Sequence, residues 1–351
     1  MKKSVLTIPF LALSFIAFSQ EIPPEQQKTL DSLWNIWTNR SAADTTRLKA
    51  MKQISWDGYL YTHPDSAFYF AQLQYDLAKE KNIKEYMANA LTTQGVSLYV
   101  QGDYTKAIDY DTRSLKLREE IGDKKGIAAS LINIGNIYSD QGDHAKAIDY
   151  YTKGLKIFEE LLRSHPELVK VKNGMATSLN NIGALYGSQG DYANAIAYQT
   201  RSLQLREEIG DKKGIAMSLK NIGDIYKDQA ELAKSRNDKS GSDSLFFKAT
   251  EYQTQGLKLR EEIGDKQGIA SSLNSIAHIY EGQGNYSEAL AFGQRSLTIA
   301  TEMGAAIEKR DAAKTLWEIN KKVGSHQKAL EMYELCITTR DTLQSEEKQR
   351  E

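Results

Sequence analysis

The sequence predicts an all-α solenoid, a row of antiparallel helix pairs, on three observations. The phrase Leu-Arg-Glu-Glu-Ile-Gly-Asp occurs at Leu117–Asp123, Leu205–Asp211 and Leu259–Asp265, each time followed closely by Gly-Ile-Ala. The residues standing in the place of the Gly of the Gln-Gly-Asp turn are Gly102, Gly142, Gly190, Ala230, Gly284 and Gly324. Their steps are 40, 48, 40, 54 and 40, a period of 40 residues with insertions of 8 and 14. Each period also holds two stretches with apolar residues at i, i+3, i+4 and i+7 and no interior proline, the pattern of two amphipathic helices joined by a short turn. A fixed period of this kind outranks any single motif as a guide to architecture.

The elements follow in order. Residues 1–19 form an expected signal peptide: Lys2 and Lys3 precede the apolar run Val5–Phe18, and Ala17 and Ser19 are small where a signal peptidase reads. The run is interrupted by Pro9 and is shorter than the ~20 residues a membrane helix needs. The mature chain is therefore expected to begin near Gln20 and to be exported to the periplasm. Residues 20–41 are expected to form a capping helix, because Pro23 and Pro24 suit a helix start and Leu30, Leu33, Trp34 and Trp37 share a stripe. The solenoid then spans 42–351, with a degenerate pair at 42–83 and repeats at 84–123, 124–165, 166–211, 212–265, 266–304 and 305–351.

First helices are expected near 85–101, 124–141, 167–189, 212–234, 266–283 and 305–323. Gly122, Gly210 and Gly264 suit helix ends that need a left-handed residue, and Asp123, Asp211 and Asp265 suit the next N-cap. Ser-His-Pro-Glu in the 8-residue insertion reads as a stop with a new start at Pro166. The second insertion, 234–245, reads as a solvated loop, since Asn237, Asp238, Gly241 and Asp243 lack the spacing and the closing Glu of a calcium loop. Gly135 lies inside a helix, where glycine costs about 1 kcal/mol relative to alanine. Close approach of Gly135 to Ala147 would offset that cost. The pairs Gly95 with Ala107, Gly183 with Ala195, Gly223 with Ala249 and Ala277 with Ala289 repeat it.

Together, Leu131, Ile134, Gly135, Tyr138, Ala147, Tyr151 and Gly154 resemble the tetratricopeptide repeat (TPR) signature, and the 40-residue period resembles its kinesin-light-chain-like subclass. The resemblance runs from about Thr45 to the C-terminus. It implies a right-handed superhelix of about seven helix pairs that holds a peptide or protein segment in a concave groove. Asp-Thr-Thr, Ile-Ser-Trp and His-Pro-Asp-Ser-Ala near the start resemble the exported N-terminal sensor region of bacterial TPR signalling proteins. In such relatives a membrane span and an output domain follow a charged helix like the one ending here. Two functions stand open, the sensing region of a signalling protein and a free-standing periplasmic adaptor or scaffold.

Composition narrows the alternatives. Of 351 residues 40% are apolar, enough for a continuous core, and 45 basic against 46 acidic residues give a net charge of −1 and no bulk case for nucleic acid. Cys336 is a single cysteine with no internal partner. The sequence has no GxGxxG, phosphate loop, HExxH, GxSxG or paired cysteines in a usable setting. The pairs Glu119–Glu120, Glu207–Glu208 and Glu261–Glu262 recur at one position, as solvated helix ends do and catalytic dyads do not. A non-enzymatic binding module without cofactor or metal is expected.

The groove is expected on the first helices, on the face away from Leu131, Ile134 and Tyr138. It would carry Tyr99 in one repeat, Ile132, Asn133, Asn136 and Asp140 in the next, and then Asn180 with Asn181. Lys220, Asn221, Asp224 and Lys227, followed by Asn274 and His278, continue it. Asn133, Asn181 and Asn221 are one position in three successive repeats. The resemblance implies that asparagines there hold ligand backbone, and bridging between neighbouring helices is the other role open to them. The set needed to clamp a C-terminal carboxylate is missing. Arg118, Arg206 and Arg260, on second helices, are expected on the outer surface, away from the groove.

Overall fold

The computed structural model describes residues 24–350, and the expected signal peptide lies outside them. Fifteen α-helices and no strand are found among the described residues. Helix α1 (Pro24–Thr38) starts on Pro24, and its stripe of Leu30, Leu33, Trp34 and Trp37 packs with Met51, Ile54 and Phe70, as a cap should. Helix α2 (Asp44–Gln53) runs into a π-helical segment, Ile54–Tyr59, and α3 (Pro64–Glu80) completes the degenerate pair. Gly58 lies in that segment under Leu30, where a Cβ would come within 2.6 Å of Cδ2.

Six further pairs follow: α4 (Lys84–Val100) with α5 (Tyr104–Glu120), α6 (Lys124–Asp140) with α7 (His144–Ser164), and α8 (Val169–Ser188) with α9 (Tyr192–Ile209). Then come α10 (Lys212–Ser235) with α11 (Lys239–Ile263), α12 (Lys266–Gln283) with α13 (Tyr286–Glu302), and α14 (Ala306–Lys322) with α15 (His326–Arg350). The chain divides into two compact units, one ending at Leu117 and one beginning at Arg118, inside α5. Among the described residues no helix is long and apolar enough to cross a membrane.

The turns are written into the repeat. Gly122, Gly210 and Gly264 take φ of 69°, 69° and 68°, the left-handed region that glycine enters without penalty. The aspartates that follow cap the next helix: Asp123, Asp211 and Asp265 accept from the amides of Gly126, Gly214 and Gly268 at 2.9, 2.9 and 3.0 Å.

Within each pair the helices approach through small residues. A Cβ at Gly95, Gly183 or Gly223 would lie 3.3, 3.1 or 3.2 Å from the carbonyl oxygen of Ala107, Ala195 or Ala249. At Gly135 the expected partner is different. The ring of Tyr151, not Ala147, fills the space, 2.6 Å from where a Cβ would stand, because a large aromatic stands where those three pairs have Asp111, Gln199 and Gln253. One helical turn further on, Ser114, Ser202 and Ser296 donate to the carbonyls of Ala88, Ala176 and Ala270 at 2.9, 2.8 and 2.8 Å. Gly154 and Gly256 occupy that position in two other repeats and press on Ala128 and Ala216.

Both insertions lengthen helices. Helix α7 extends to Ser164, and the next helix begins at Val169 rather than at Pro166, which falls in the turn. The second insertion is not a loop: α10 continues to Ser235 and α11 starts at Lys239, leaving a turn at 236–238. The segment has no proline to break a helix, Asn237 supplies the left-handed residue at φ 60°, and Asp238 caps α11 by accepting from Gly241 at 2.9 Å. Phe246, buried in α11, packs with Ala230 and Ile279 and fixes the longer hairpin to α12.

Candidate functional site

In the second unit the first helices of successive repeats pack directly on one another, α6 on α8, α8 on α10, α10 on α12 and α12 on α14. Second helices make no comparable contact with each other among the described residues. The first-helix side is thus the tighter, inner side of this unit, and the groove positions named from the sequence fall on it.

Those positions are joined by an amide network. Asn181 donates from Nδ2 to Asn136 Oδ1 at 3.0 Å, Asn221 to Asn180 Oδ1 at 2.8 Å, and Asn180 to Asn181 Oδ1 at 3.3 Å. The Tyr151 hydroxyl also donates to Asn136 Oδ1 at 2.7 Å, and burial pushes this phenol up to about 12. The network crosses three helices, so bridging is a role these side chains do perform. Each Nδ2 has two hydrogens and gives one to its neighbour, which leaves capacity for a second partner. Asn133 is half-buried on the same face and Asp140 is exposed. Ile132, expected beside them, is instead buried, because its side chain lies over Gly154.

Further along, charge replaces amides. Lys220 Nζ lies 2.6 Å from Asp224 Oδ2, and Lys227 lies 3.1 Å from Asp228 and 4.0 Å from Glu231. Burial works to lower the Lys227 pKa, but the carboxylates of Asp228 and Glu231 outweigh it and hold the ammonium above its ordinary value. His278 bridges α12 and α14, with Nδ1 3.3 Å from Glu281 and Nε2 2.9 Å from Thr315 Oγ1. Burial raises the pKa of Glu281, yet its hydrogen bonds with His278 and with Lys322, at 2.7 Å, leave it below the usual carboxylate range. Asn274 keeps its Oδ1 buried without a hydrogen-bond partner. Tyr99 belongs to the first unit, where its ring lies 6.0 Å from that of Tyr104.

Sequence reasoning passed over Gln199 and Gln253. Both are fully buried on second helices and reach across to first-helix carbonyls, Asn180 at 2.9 Å and Lys220 at 3.0 Å. They stand where the repeat signature has an aromatic, so the departure itself was the available signal.

The outer-surface expectation for Arg118, Arg206 and Arg260 is overturned, since they are only 8%, 2% and 6% exposed. Arg206 Nη1 donates to Gly214 O at 2.6 Å and Ser218 Oγ at 3.1 Å, and Arg260 Nη1 to Gly268 O and Ser272 Oγ, both at 2.7 Å. Arg118 Nη1 pairs with Asp123 at 2.7 Å. The guanidinium folds back over the turn to the first turn of the next helix. That explains the recurring phrase, because a Cβ on Gly126, Gly214 or Gly268 would collide with both the arginine and the capping aspartate.

A tetratricopeptide repeat model matches residues 86–160, 174–237 and 244–302, more than half of the chain. The chain belongs to the tetratricopeptide repeat family. Solved structures extend this TPR assignment. The apo form of the quorum sensor NprR from B. thuringiensis matches with a TM-score of 0.63 at 16% identity, covering 90% of this chain and 81% of that one. NprR in complex with its cognate peptide NprX matches with a TM-score of 0.53 at 14% identity, covering 88% and 84%. A Rap protein complexed with Competence and Sporulation Factor gives a TM-score of 0.53 at 14% identity, covering 92% and 99%. At these identities the likeness is one of fold. No curated protein matches significantly.

Proposed function

We propose that this TPR chain is an exported binding module that holds an extended peptide or protein segment along the first-helix face, as the sensing region of a signalling protein. The observation that carries the reading is the amide network on Asn136, Asn180, Asn181 and Asn221, which presents spare donors and acceptors along the inner side of the second unit. An extended backbone displays both kinds of group at regular spacing, so a line of amides suits it without regard to side-chain sequence. Two proteins of the same fold have been solved as complexes, NprR with its cognate peptide NprX and a Rap protein with Competence and Sporulation Factor, and the first favours a peptide as the occupant. Export rests on Lys2, Lys3 and the apolar run before Ser19.

The test is selection of the purified protein against a random peptide library. Asn133→Ala, Asn181→Ala and Asn221→Ala combined should weaken retention of the selected peptides by one to three orders of magnitude, from about 0.5–1.5 kcal/mol per lost hydrogen bond. The control is Lys156→Ala, Gln204→Ala and Lys258→Ala, one exposed second-helix position in three repeats, which should leave retention unchanged. Melting of both triples separates lost binding from lost fold. Loss with the control triple and retention with the asparagine triple would place binding on the outer surface. Mass analysis of protein recovered from periplasm should begin near Gln20, and retention of Met1 in a membrane fraction would contradict export.

A further inference from the structure

The first helices differ in what they present at two groove positions one turn apart. Successive repeats of the second unit carry Asn136 and Ser139, then Ala184 and Gly187, then Asp224 and Lys227, then His278 and Glu281. Only α8 offers two side chains of one carbon or none, and the result is a notch of about 270 Å³ between α8, α9 and α10. That is far above the roughly 10–15 Å³ one water needs.

The chemistry of the notch is one-sided. Asp224 and Asp228 line it, whereas their partners Lys220 and Lys227 do not; Asp224 spends one oxygen on Lys220 and the other on Gln253 Nε2 at 2.7 Å, so Asp228 is the carboxylate with capacity left. Gln199, fully buried, lines it too, and its orientation is dictated because Nε2 must face the Asn180 carbonyl at 2.9 Å. The amide oxygen Oε1 is therefore turned the other way, and it is buried without a hydrogen-bond partner. A buried acceptor left unpaired is costly, so a site that holds one is complementary to a donor. Ser188 has committed its hydroxyl hydrogen to Leu185 O at 2.8 Å, and Asn221 has given one amide hydrogen to Asn180. What the notch has to offer is mostly acceptors, the Asp228 carboxylate foremost.

We infer that this notch is a specificity subsite that takes one cationic side chain, a lysine or arginine, of a segment lying along the first-helix face. The inference rests on the peptide-binding reading above and deepens it: amides hold the backbone, and the notch fixes register and selects charge. A guanidinium or ammonium would donate to Gln199 Oε1 and to the carboxylate of Asp228, the latter the charge-assisted kind of hydrogen bond that is shorter and stronger than a neutral one.

The experiment uses the full chain and a random library of N-acetylated, C-amidated heptapeptides, so that no terminal charge mimics a side chain. Peptides selected by the wild type should share a Lys or Arg at one fixed position, and Gln at that position should weaken binding at least tenfold. Gly187→Leu fills the notch; a Cβ there meets only Ile225 and Ala195 at 3.7 and 3.8 Å, and leaving glycine favours the helix. Its melting temperature should hold or rise while the basic preference vanishes and binding of the Gln analogue persists. Asp228→Asn should weaken the basic peptide and leave its Gln analogue unaffected. Selected peptides with no shared basic position, with an acidic or apolar one, or with a basic preference that survives Gly187→Leu would overturn the subsite. If the wild type retains no peptide, the peptide-binding reading falls, and the subsite with it.

Discussion

At the scale of single residues, the recurring Arg, Gly, Asp and Gly of each junction act as one device. The arginine gives a first-turn carbonyl of the next helix a second donor beside that helix's own amide, the left-handed glycine turns the chain, and the aspartate caps the next helix by taking one of its orphan amides. Burial lowers the guanidinium pKa of Arg206, with Asp211 opposing, and the group is held by hydrogen bonds rather than by a close ion pair. Arg206→Ala should remove two buried hydrogen bonds, to Gly214 O and Ser218 Oγ, and destabilise by about 1–3 kcal/mol, read as a lower denaturation midpoint. Arg206→Lys should recover little, since a lysine's Nζ ends one bond short of the Nη1 position from which both Gly214 and Ser218 are served. A midpoint unchanged in Arg206→Ala would mean that the arginine is held passively. The residue types of this device were legible in the sequence, with the glycine and aspartate roles assigned correctly. The arginine was misplaced because a long charged side chain on an amphipathic helix reads as solvated, and only the fold shows it turning back over the junction.

Among whole elements, helix positions were legible because the apolar period of each first helix is interrupted by Gly-Asp turns, and observed bounds fall within a few residues of those expected. The 234–245 segment was not legible, since Lys, Ser, Asn, Asp and Gly in succession carry no apolar stripe. It is helical by continuation: its two neighbours are already paired, and a three-residue turn closes the longer hairpin. One apolar anchor holds that extension. Phe246 lies against Ala230, Ala249 and Ile279, and a Cβ on Gly282 would come within 2.6 Å of its ring. Phe246→Ala should destabilise by about 3–5 kcal/mol, as large-to-small changes of buried aromatics do. Phe247→Ala, next to it and 70% exposed, should change thermal stability by under about 0.5 kcal/mol. Equal losses in the two variants would show that the extended hairpin is not fixed through its buried side.

Over the molecule as a whole, the groove positions illustrate what a repeat hides. Reading one period at a time aligned Asn133, Asn181 and Asn221 as equivalents, but the bonds run between non-equivalent positions, Asn136 to Asn181 and Asn180 to Asn221, because a network between repeats depends on which residue the neighbour offers. Ala184 offers nothing, so Asn221 reaches Asn180 instead. Stability is organised in the same neighbour-to-neighbour way. In the second unit each helix packs on its sequence neighbours, and first helices pack also on the next first helix. Such an array behaves as a chain of local terms rather than one indivisible core. Ile222→Ala in α10, a fully buried site, should cost about 2–5 kcal/mol, and the loss should be felt locally first. Native-state hydrogen exchange should show protection falling over α8 to α11 while α14 keeps its wild-type rates. A uniform fall from α6 to α14 would show instead that the unit opens as a single body. The local outcome would let a ligand on the amide network tighten the repeats it touches and leave the others unchanged, whereas the uniform outcome would carry its effect to every helix of the unit.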